Sequence, residues 1–348
     1  MRGVLDVPDA LVPIQSLVAD ALIRVERVFD DALASDLPPV DELCAHVERY
    51  RGKMLRPILV LLTALASSPD APDAFERAAP EELVTEDLIR LAAVCEMVHM
   101  ATLVQDVVVD DAELRRRGAT LNHLRGNEAA VILGDYLIAG AYHLCASIGR
   151  PELDQRIARI SMDLCAGELL QLHHRANVSL DEPTYFEIVR RKTGALIGVS
   201  CELGAVLAGA SPQVAQTLRE TGARLGVAFQ IRDDLLDLLG DEQRVGKSVG
   251  KDLEKGKLTL PLLHHLGACD PMTRGRSLEL ITRGRVGLQD HERAELLESV
   301  TRTGSLDYAE GVARDLVEDS IRDLQALAPT PARALLLELS RAVVDRQL

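Results

Sequence analysis

Three acids interrupt an apolar, helix-forming run between residues 229 and 237. Asp233 and Asp237 are four residues apart, so on a helix their carboxylates lie on one face, with Asp234 beside them. Like charges held this close repel each other, and a cation relieves that repulsion. Several lysines follow in a glycine-rich stretch, namely Lys247, Lys251, Lys255 and Lys257. The combination favours Mg²⁺ bridging to phosphate oxygens. A solvated helix end followed by a basic loop explains this single stretch equally well.

A second acidic helix is predicted over residues 88–114. One stripe of it is apolar, whereas the neighbouring stripe carries polar residues three and four apart, namely His99, Thr102, Asp106, Asp110 and Glu113. Asp106 and Asp110 repeat the spacing of the first acid pair, and arginines follow at 115–117. Two acid pairs, each followed by a basic cluster, favour a metal–diphosphate site between two facing carboxylate walls.

Two further cations precede the apolar stretch 58–66. Lys53 and Arg56 are three residues apart, so they share a face at the start of the predicted helix. Cations beside a helix N-terminus are typical of an anion site. A pair of solvated surface charges is the alternative, and the spacing alone does not decide between the two.

The composition predicts an all-α protein with an aliphatic core. The chain has 348 residues, of which 47% are hydrophobic and only 3% aromatic, and it contains no tryptophan. No shift in composition and no internal repeat divides it, so we predict a single domain over residues 1–348. The formal charge of −15 argues against nucleic acid as a partner.

The cysteines and the apolar segments favour a cytoplasmic protein. None of the six cysteines forms a CxxC pair, a pattern typical of reduced thiols. The first thirteen residues lack the basic and apolar regions of a signal peptide. The longest apolar stretch, 58–66, is too short to span a membrane. Any hydrophobic ligand is therefore expected inside the fold or at the membrane surface.

A series of short motifs resembles the trans-type polyprenyl diphosphate synthases over nearly the whole chain. The matching elements are Gly52-Lys53-x-x-Arg56-Pro57, Glu96-x-x-His99, the first acidic helix with Arg115-Arg116, Gly134-Asp135-Tyr136-Leu137, Gly167-Glu168-x-x-Gln171, Lys192-Thr193-Gly194, Phe229-Gln230-x-x-Asp233-Asp234-x-x-Asp237 and Gly246-Lys247-x-x-Gly250-Lys251-Asp252. The order and number of these motifs make the resemblance specific for fold and superfamily.

The resemblance implies an orthogonal bundle of helices around a deep central cavity, the isoprenoid synthase type I fold, in a homodimer. It implies a transferase that joins isopentenyl diphosphate to an allylic diphosphate. The implied Mg²⁺ ligands are Asp106, Asp110, Asp233 and Asp237. The residues implied at the reacting allylic diphosphate are Lys192, Thr193, Gln230, Lys247 and Lys257, with Arg115 supporting the leaving group. The residues implied to bind isopentenyl diphosphate are Lys53, Arg56, His99 and Arg116.

Two positions depart from the family's first acidic motif. Val107 replaces its middle acid, and Gln105 replaces its usual histidine. On a helix, position 107 lies about 100° from Asp106, because a turn has about 3.6 residues. We therefore expect the direct ligands to be retained and a supporting acid to be lost, a change that weakens metal sites by about 10–100-fold. Restoring that acid with Val107→Asp is expected to raise activity or metal affinity.

Three functions remain open on this evidence. The first is an active, elongating prenyltransferase. Its alternative is a non-catalytic or regulatory subunit of a heteromeric synthase, which the change at Val107 favours. A diphosphate-ionising cyclase is the third, and retention of the predicted second diphosphate site argues against it. No aromatic residue occurs at Ala101, Thr102 or Val98, so we expect a long-chain product handed off at the membrane. Met100 or Tyr136 could instead end the tunnel.

Overall fold

The computed structural model describes residues 8–47, 52–109, 114–115, 118–119, 121–239 and 250–344. The predicted all-α class is confirmed. Within these ranges the only strands are the two-residue β1 (Leu114–Arg115) and β2 (Gly118–Ala119), which pair antiparallel. The chain divides into two compact units. The prediction of a single domain stays a prediction.

Unit 1 is built from the described parts of Met1–Ser161, Leu196–Gly222 and Arg322–Leu339. Its first helices, in chain order, are α1 (Val12–Leu33), α2 (Pro38–Val47), α3 (Leu55–Ser67), α4 (Ala71–Glu76), α5 (Glu86–Val109), α6 (Leu121–Arg125) and α7 (Asn127–Ala146). The central helix is α5, which packs against α1, α3 and α7. Large aliphatic side chains fill the core, among them Ile58, Leu61, Leu91 and Leu137.

Close helix approach in unit 1 depends on a small residue. Gly204 lies against the backbone carbonyl of Val60 and the hydroxyl of Thr63, where an added Cβ would clash with both. Gly204 belongs to α10 (Ala195–Leu207), so this glycine brings α10 onto α3. The helix α8 (Pro151–His173) precedes it in the chain and ends in the second unit.

Unit 2 is built from the described parts of Met162–Ala195, Ala223–Ile321 and Ser340–Leu348. Its remaining helices are α9 (Glu182–Val189), α11 (Pro212–Leu239), α12 (Lys251–Glu254), α13 (Leu260–Ala268), α14 (Pro271–Gly284), α15 (Asp290–Arg302), α16 (Ser305–Gln325) and α17 (Pro331–Val344), several of which extend from one unit into the other. Several of these helices begin with side-chain caps, two of which are aspartates directly before the helix. Asp181 accepts the backbone N–H of Thr184, and Asp270 accepts those of Met272 and Thr273.

The segment 67–80 contains the short helix α4. Pro38 and Pro39 begin α2, because proline is tolerated in the first turn, where its missing N–H has no helical partner. Between α9 and α10, at Arg190–Gly194, the backbone makes one π-helical turn.

Two helices are apolar and long enough for a membrane span by length and composition. They are α5 and α7, with mean hydropathies of 1.5 and 1.4. Within the scored windows, 67% of α5 and 33% of α7 is buried in the fold. Both are longer than the apolar stretch 58–66 that the sequence singled out.

The cysteines lie as expected for free thiols. None of the six is in a disulfide, and four of them are buried. Burial raises the pKa of the Cys95 thiol to about 12 and that of Cys201 to about 12. Such thiols stay protonated at neutral pH and are poor nucleophiles.

Candidate active site

The π-helical turn Arg190–Gly194 places two of the predicted catalytic side chains, Lys192 and Thr193. Two glycines allow neighbouring helices to approach this turn. A Cβ on Gly167 of α8 would lie 2.8 Å from Arg191 Cβ, and a Cβ on Gly194 would lie 2.8 Å from the carbonyl oxygen of Ala223 in α11. Single π turns occur frequently at functional sites. Here the turn holds its side chains between α8 and α11.

A pocket with a cavity volume of about 90 Å³ opens at this turn. It brings together four of the five predicted catalytic residues, Lys192, Thr193, Gln230 and Lys257. Its polar lining also includes Gln171, His174, Arg175, Asp234 and Asp252, and its apolar lining includes Leu180, Ile188, Val189 and Leu258. All these residues belong to unit 2. The pocket thus combines cations, hydrogen-bonding oxygens and an apolar wall.

A chain of hydrogen bonds runs through the pocket. Thr193 Oγ1 donates to Gln230 Oε1 at 3.0 Å, and Gln230 Nε2 donates to Asp234 Oδ1 at 2.9 Å. The hydroxyl of Tyr185 donates to the other carboxylate oxygen, Asp234 Oδ2, at 2.7 Å. These bonds fix which end of the Gln230 amide faces Thr193.

Both predicted lysines in the pocket lie near carboxylates. Lys192 Nζ is 2.6 Å from Glu168 Oε1, and both side chains are mostly shielded from solvent. Lys257 Nζ is 3.9 Å from Asp252 Oδ1, and the Lys257 backbone N–H donates to the Asp252 carbonyl. The pairing holds each ammonium group at the pocket wall, where it can exchange its partner for another anion.

The predicted metal ligand Asp237 also caps a short helix. Its Oδ1 accepts the Lys251 N–H at 3.2 Å, and its Oδ2 accepts the Asp252 N–H at 3.0 Å. Burial and the nearby Asp252 carboxylate raise the pKa of Asp237, although the two backbone N–H groups partly offset this. Burial and Asp252 likewise raise the pKa of Asp234.

This crowding of carboxylates fits a divalent cation. Asp233 is half-buried and lies one turn before Asp237 on α11, as the sequence predicted. Oxygen-only ligands suit Mg²⁺ or Ca²⁺, and a cation would offset the charge that raises these pKa values. Among the described residues no group of three or more His, Cys, Asp or Glu side chains is already arranged around one metal position. The carboxylates of α11 thus supply oxygen ligands for a cation but do not by themselves form a complete coordination sphere.

The predicted isopentenyl diphosphate site lies in unit 1. Lys53 is exposed, and Arg56 lies in the first turn of α3, near the buried Glu96 carboxylate of α5. Burial lowers the pKa of the Arg56 guanidinium, while the Glu96 charge opposes that change. His99 is half-buried one turn after Glu96. The structure therefore places Arg56 and His99 beside the same stretch of α5.

The two unusual residues of α5 have distinct surroundings. Gln105 Nε2 donates to Asp135 Oδ1 at 3.2 Å, and a Cβ on Gly134 would lie 2.6 Å from Gln105 Cγ. Gln105 thus packs on the Gly134-Asp135 motif of α7. Val107 is only 1% exposed, on the same face as the buried Leu103 and Met100. Val107 thus lies on the buried face of α5, and Asp106 is half-buried next to it.

The side chains of four predicted site residues are not described by the structure. Asp110, Arg116 and Lys247 lie outside the described residues, and Arg115 is described only by its backbone in β1. Their roles stay predictions.

Sequence reasoning gave no role to several residues of the pocket. Tyr185 and Asp252 lie in it, but neither has a spacing that predicts this position, because long-range packing brings them there. Gln171 was recognised only as part of a motif. Its Nε2 is shielded from solvent and has no hydrogen-bond partner in the part of the chain that the structure describes. An amide at helical spacing from Glu168, in an apolar run, was the available signal.

Comparison with known proteins identifies the family of the chain. A sequence model of the polyprenyl synthetase family matches residues 38–298. Heptaprenyl diphosphate synthase component 2 of Geobacillus stearothermophilus is 32% identical over 95% of this chain and 97% of its own. Octaprenyl diphosphate synthase of Escherichia coli (strain K12) is 32% identical over 96% and 98%. A polyprenyl synthase from Caulobacter crescentus CB15, solved with calcium and isoprenyl diphosphate, covers 98% of each chain at 31% identity and a TM-score of 0.84.

The helical fold and these neighbours define the class, a prenyltransferase of the isoprenoid synthase type I fold. The chain belongs to the polyprenyl synthetase family, and it is an enzyme of the polyprenyl diphosphate synthase type.

Proposed function

We propose that this enzyme condenses isopentenyl diphosphate with an allylic diphosphate, in a Mg²⁺-dependent reaction, to make a long-chain all-trans polyprenyl diphosphate. The observation that carries the proposal is the pocket of unit 2. It combines Lys192 and Lys257 with the amide of Gln230 and the hydroxyl of Thr193, and the acids of α11 lie on the same helix as Gln230.

The residues of the pocket suit ionisation of an allylic diphosphate. Lys192 and Lys257 attract the diphosphate and neutralise the charge that develops on it as the C–O bond breaks. The Thr193 hydroxyl donates a hydrogen bond to Gln230 Oε1, so the lone pairs of the hydroxyl oxygen can face the allylic cation. Isopentenyl diphosphate then attacks through its alkene, and the released diphosphate accepts the proton that the new intermediate loses.

The apolar wall of the pocket excludes water, and the acids would bind the metal. The side chains of Leu180, Ile188 and Val189 keep water from the cation, which water would otherwise trap. Asp233 and Asp237 on α11, with Asp106 and Asp110 on the first acidic segment, would hold Mg²⁺. The metal would act as a Lewis acid on the diphosphate oxygens.

An assay of the pure protein tests the proposal. Labelled isopentenyl diphosphate and allylic primers of increasing length are expected to give products longer than farnesyl diphosphate in Mg²⁺. Excess chelator is expected to abolish product formation. Products that form at the same rate in chelator would contradict the metal assignment, and no product with any primer would contradict an autonomous enzyme.

A heteromeric assembly is the second candidate. The similarity to a protein named as component 2 favours it, as does the loss of an acid at Val107. In that case the chain alone is inactive, and activity requires a second, different subunit. Co-purification of the tagged chain from its source cells, followed by assay of the complex, distinguishes this candidate from the first.

We infer a homodimer from the outer face of α7. That face carries exposed apolar side chains, with Val131 at 41%, Ile132 at 65% and Tyr142 at 37% exposure. Exposed apolar side chains on one helix are typical of interaction sites, and two-fold homodimers are the commonest assemblies. Sedimentation is expected to show a dimer that Ile132→Glu weakens. Met272→Glu, at an apolar side chain 85% exposed on α14, is the matched control.

We place the enzyme in the cytoplasm, with its product handed off at the membrane surface. The reduced cysteines and the apolar product support this location. Cell fractionation tests it, and an enzyme that detergent alone releases from membranes would contradict it.

A further inference from the structure

The hydroxyl of Tyr185 ends the chain of hydrogen bonds in the pocket. The ring is only 4% exposed and packs edge-on against Phe186 at a centroid distance of 5.4 Å. The hydroxyl itself points away from this apolar packing and donates to Asp234 Oδ2 at 2.7 Å. Among the described residues, the Tyr185 side chain therefore has an apolar body and one hydrogen bond, made to Asp234, the residue that holds Gln230.

The amide of Gln230 has two possible orientations, which exchange its oxygen and nitrogen. When it is ionised, the carboxyl group of Asp234 only accepts hydrogen bonds, so it then requires the NH₂ end of the amide. The hydroxyl of Thr193 then donates to the oxygen end. Asp234 thus selects the orientation of Gln230, provided that its own carboxylate stays in place.

A buried carboxylate stays in place when both of its oxygens have donors. Asp234 is 5% exposed, and the donors in the described contacts are Gln230 on one oxygen and Tyr185 on the other. Without the tyrosine hydroxyl, Oδ2 would need another donor, and rotation of the carboxyl group toward the Gln230 amide is the nearest way to gain one. The amide would then lose its single orientation.

We propose that Tyr185 is a positioning residue for prenyl transfer, which acts through Asp234 to orient the amide of Gln230 toward Thr193 and the reacting carbon. This inference rests on the proposed function. It assigns to Tyr185 an effect on turnover and not on the binding of isopentenyl diphosphate, because neither Asp234 nor Gln230 is predicted to bind that substrate.

Tyr185→Phe tests the proposal, since it removes only the hydroxyl and keeps the packed ring. The kcat is expected to fall about 3- to 10-fold, the size of effect that loss of one buried hydrogen bond produces, with KM for isopentenyl diphosphate nearly unchanged. Tyr308→Phe is the matched control in the same unit. Its hydroxyl donates to Glu182 Oε2 at 2.9 Å, outside the pocket, so its kcat is expected to stay at the wild-type value.

A double-mutant cycle separates positioning from packing. If Tyr185 acts through Gln230, Tyr185→Phe is expected to change kcat little once Gln230→Leu is present. Independent, multiplying effects would overturn the proposal, and so would an unchanged kcat in Tyr185→Phe. All assays use temperatures at which unfolding curves show each variant folded. Should Tyr185→Phe fail to fold, Asp234→Asn breaks the same link and meets the same criteria. An inactive wild-type chain would instead contradict the proposed function.

Discussion

Val107 shows how burial changes a prediction made from the sequence. From the motif alone, Val107→Asp was expected to raise activity. The side chain is 1% exposed on the inner face of α5, so an aspartate there would have to lose its solvation.

We now expect Val107→Asp to lower the free energy of unfolding by roughly 1–3 kcal/mol, the cost of burying an unpaired polar group. Metal affinity is not expected to rise. Thermal unfolding and Mg²⁺ titration measure the two effects, with Val109→Asp as the control, because Val109 is 37% exposed. A gain in metal affinity at unchanged stability would restore the original expectation.

Asp233 tests the metal assignment at a single residue. Asp233→Ala is expected to lower kcat by at least about 100-fold, since loss of a ligand should exceed the 10–100-fold effect of losing a residue that supports one. The melting temperature should not fall, because the change removes one charge from a crowded set of acids. Asp315→Ala, at an exposed acid on α16, is the control. Near-normal turnover in Asp233→Ala would show that Asp233 is not a metal ligand.

His265 gives the protein a pH-dependent stability outside the pocket. The ring is fully buried, with Nδ1 3.0 Å from Thr303 Oγ1 and Nε2 2.8 Å from Ser277 Oγ. Burial, followed by the charges of Arg302 and His264, lowers its pKa. The folded state therefore holds the ring neutral.

The sign of the effect follows from proton binding. Because the pKa of His265 is lower in the folded state, the unfolded chain binds the proton first as the pH falls. The contribution of His265 to stability is complete above the unfolded pKa of about 6.5 and declines below it. Urea unfolding at pH 7.5 and pH 5.5 should show a smaller decline in His265→Gln than in the exposed control His291→Gln. Equal declines would contradict the assignment.

At the scale of elements, the period of apolar residues predicted the acidic helices α5 and α11. It did not predict the π-helical turn that carries Lys192 and Thr193. The apolar spacing in α1, α3, α5 and α11 follows the buried faces that the structure contains. The π turn at Arg190–Gly194 could not be predicted, because its cause is the close packing of Gly167 and Gly194 against distant segments. The same limit applies to the capping role of Asp237, which depends on residues fourteen positions later.

Gly167→Ala tests the packing at the π turn. The new Cβ would lie 2.8 Å from Arg191 Cβ and 3.0 Å from the Lys192 nitrogen, so α8 must move away. We expect a loss of about 1–3 kcal/mol in the free energy of unfolding, typical of overpacking, and a lower kcat as Lys192 shifts. Gly275→Ala in α14 meets no atom within 4 Å and should be neutral or stabilising. Equal behaviour of the two variants would contradict this.

At the scale of the whole molecule, product length is the property to test. Ala101 is 1% exposed and lies five residues before Asp106, about 7.5 Å along α5. Ala101→Phe is expected to shorten the product toward a short-chain diphosphate and to leave ionisation of the allylic primer intact. Chromatography of the products measures this, with Thr102→Val as a control of similar size. An unchanged product length would indicate that another residue, such as Tyr136, ends the tunnel.

Family and fold class could be predicted from the sequence, since motifs and aliphatic composition report them directly. The relative position of the motifs could not, because it depends on contacts between segments far apart in the chain. Lys192, Thr193, Gln230 and Lys257 were named from their motifs, yet only the structure shows that Tyr185 joins them.

The different burial of the cysteines allows unfolding to be followed by thiol labelling of the natural chain. Cys165 on α8 is exposed and Cys44 on α2 is partly exposed, whereas Cys95, Cys145, Cys201 and Cys269 are buried. A thiol-reactive dye should therefore label Cys165 first, Cys44 more slowly, and the four buried sites only as the fold opens. Counting dyes per chain by mass spectrometry, over time and in increasing denaturant, would give opening rates for both units without introducing any tag. Cys165 could also carry a single fluorophore within three residues of Glu168, the partner of Lys192.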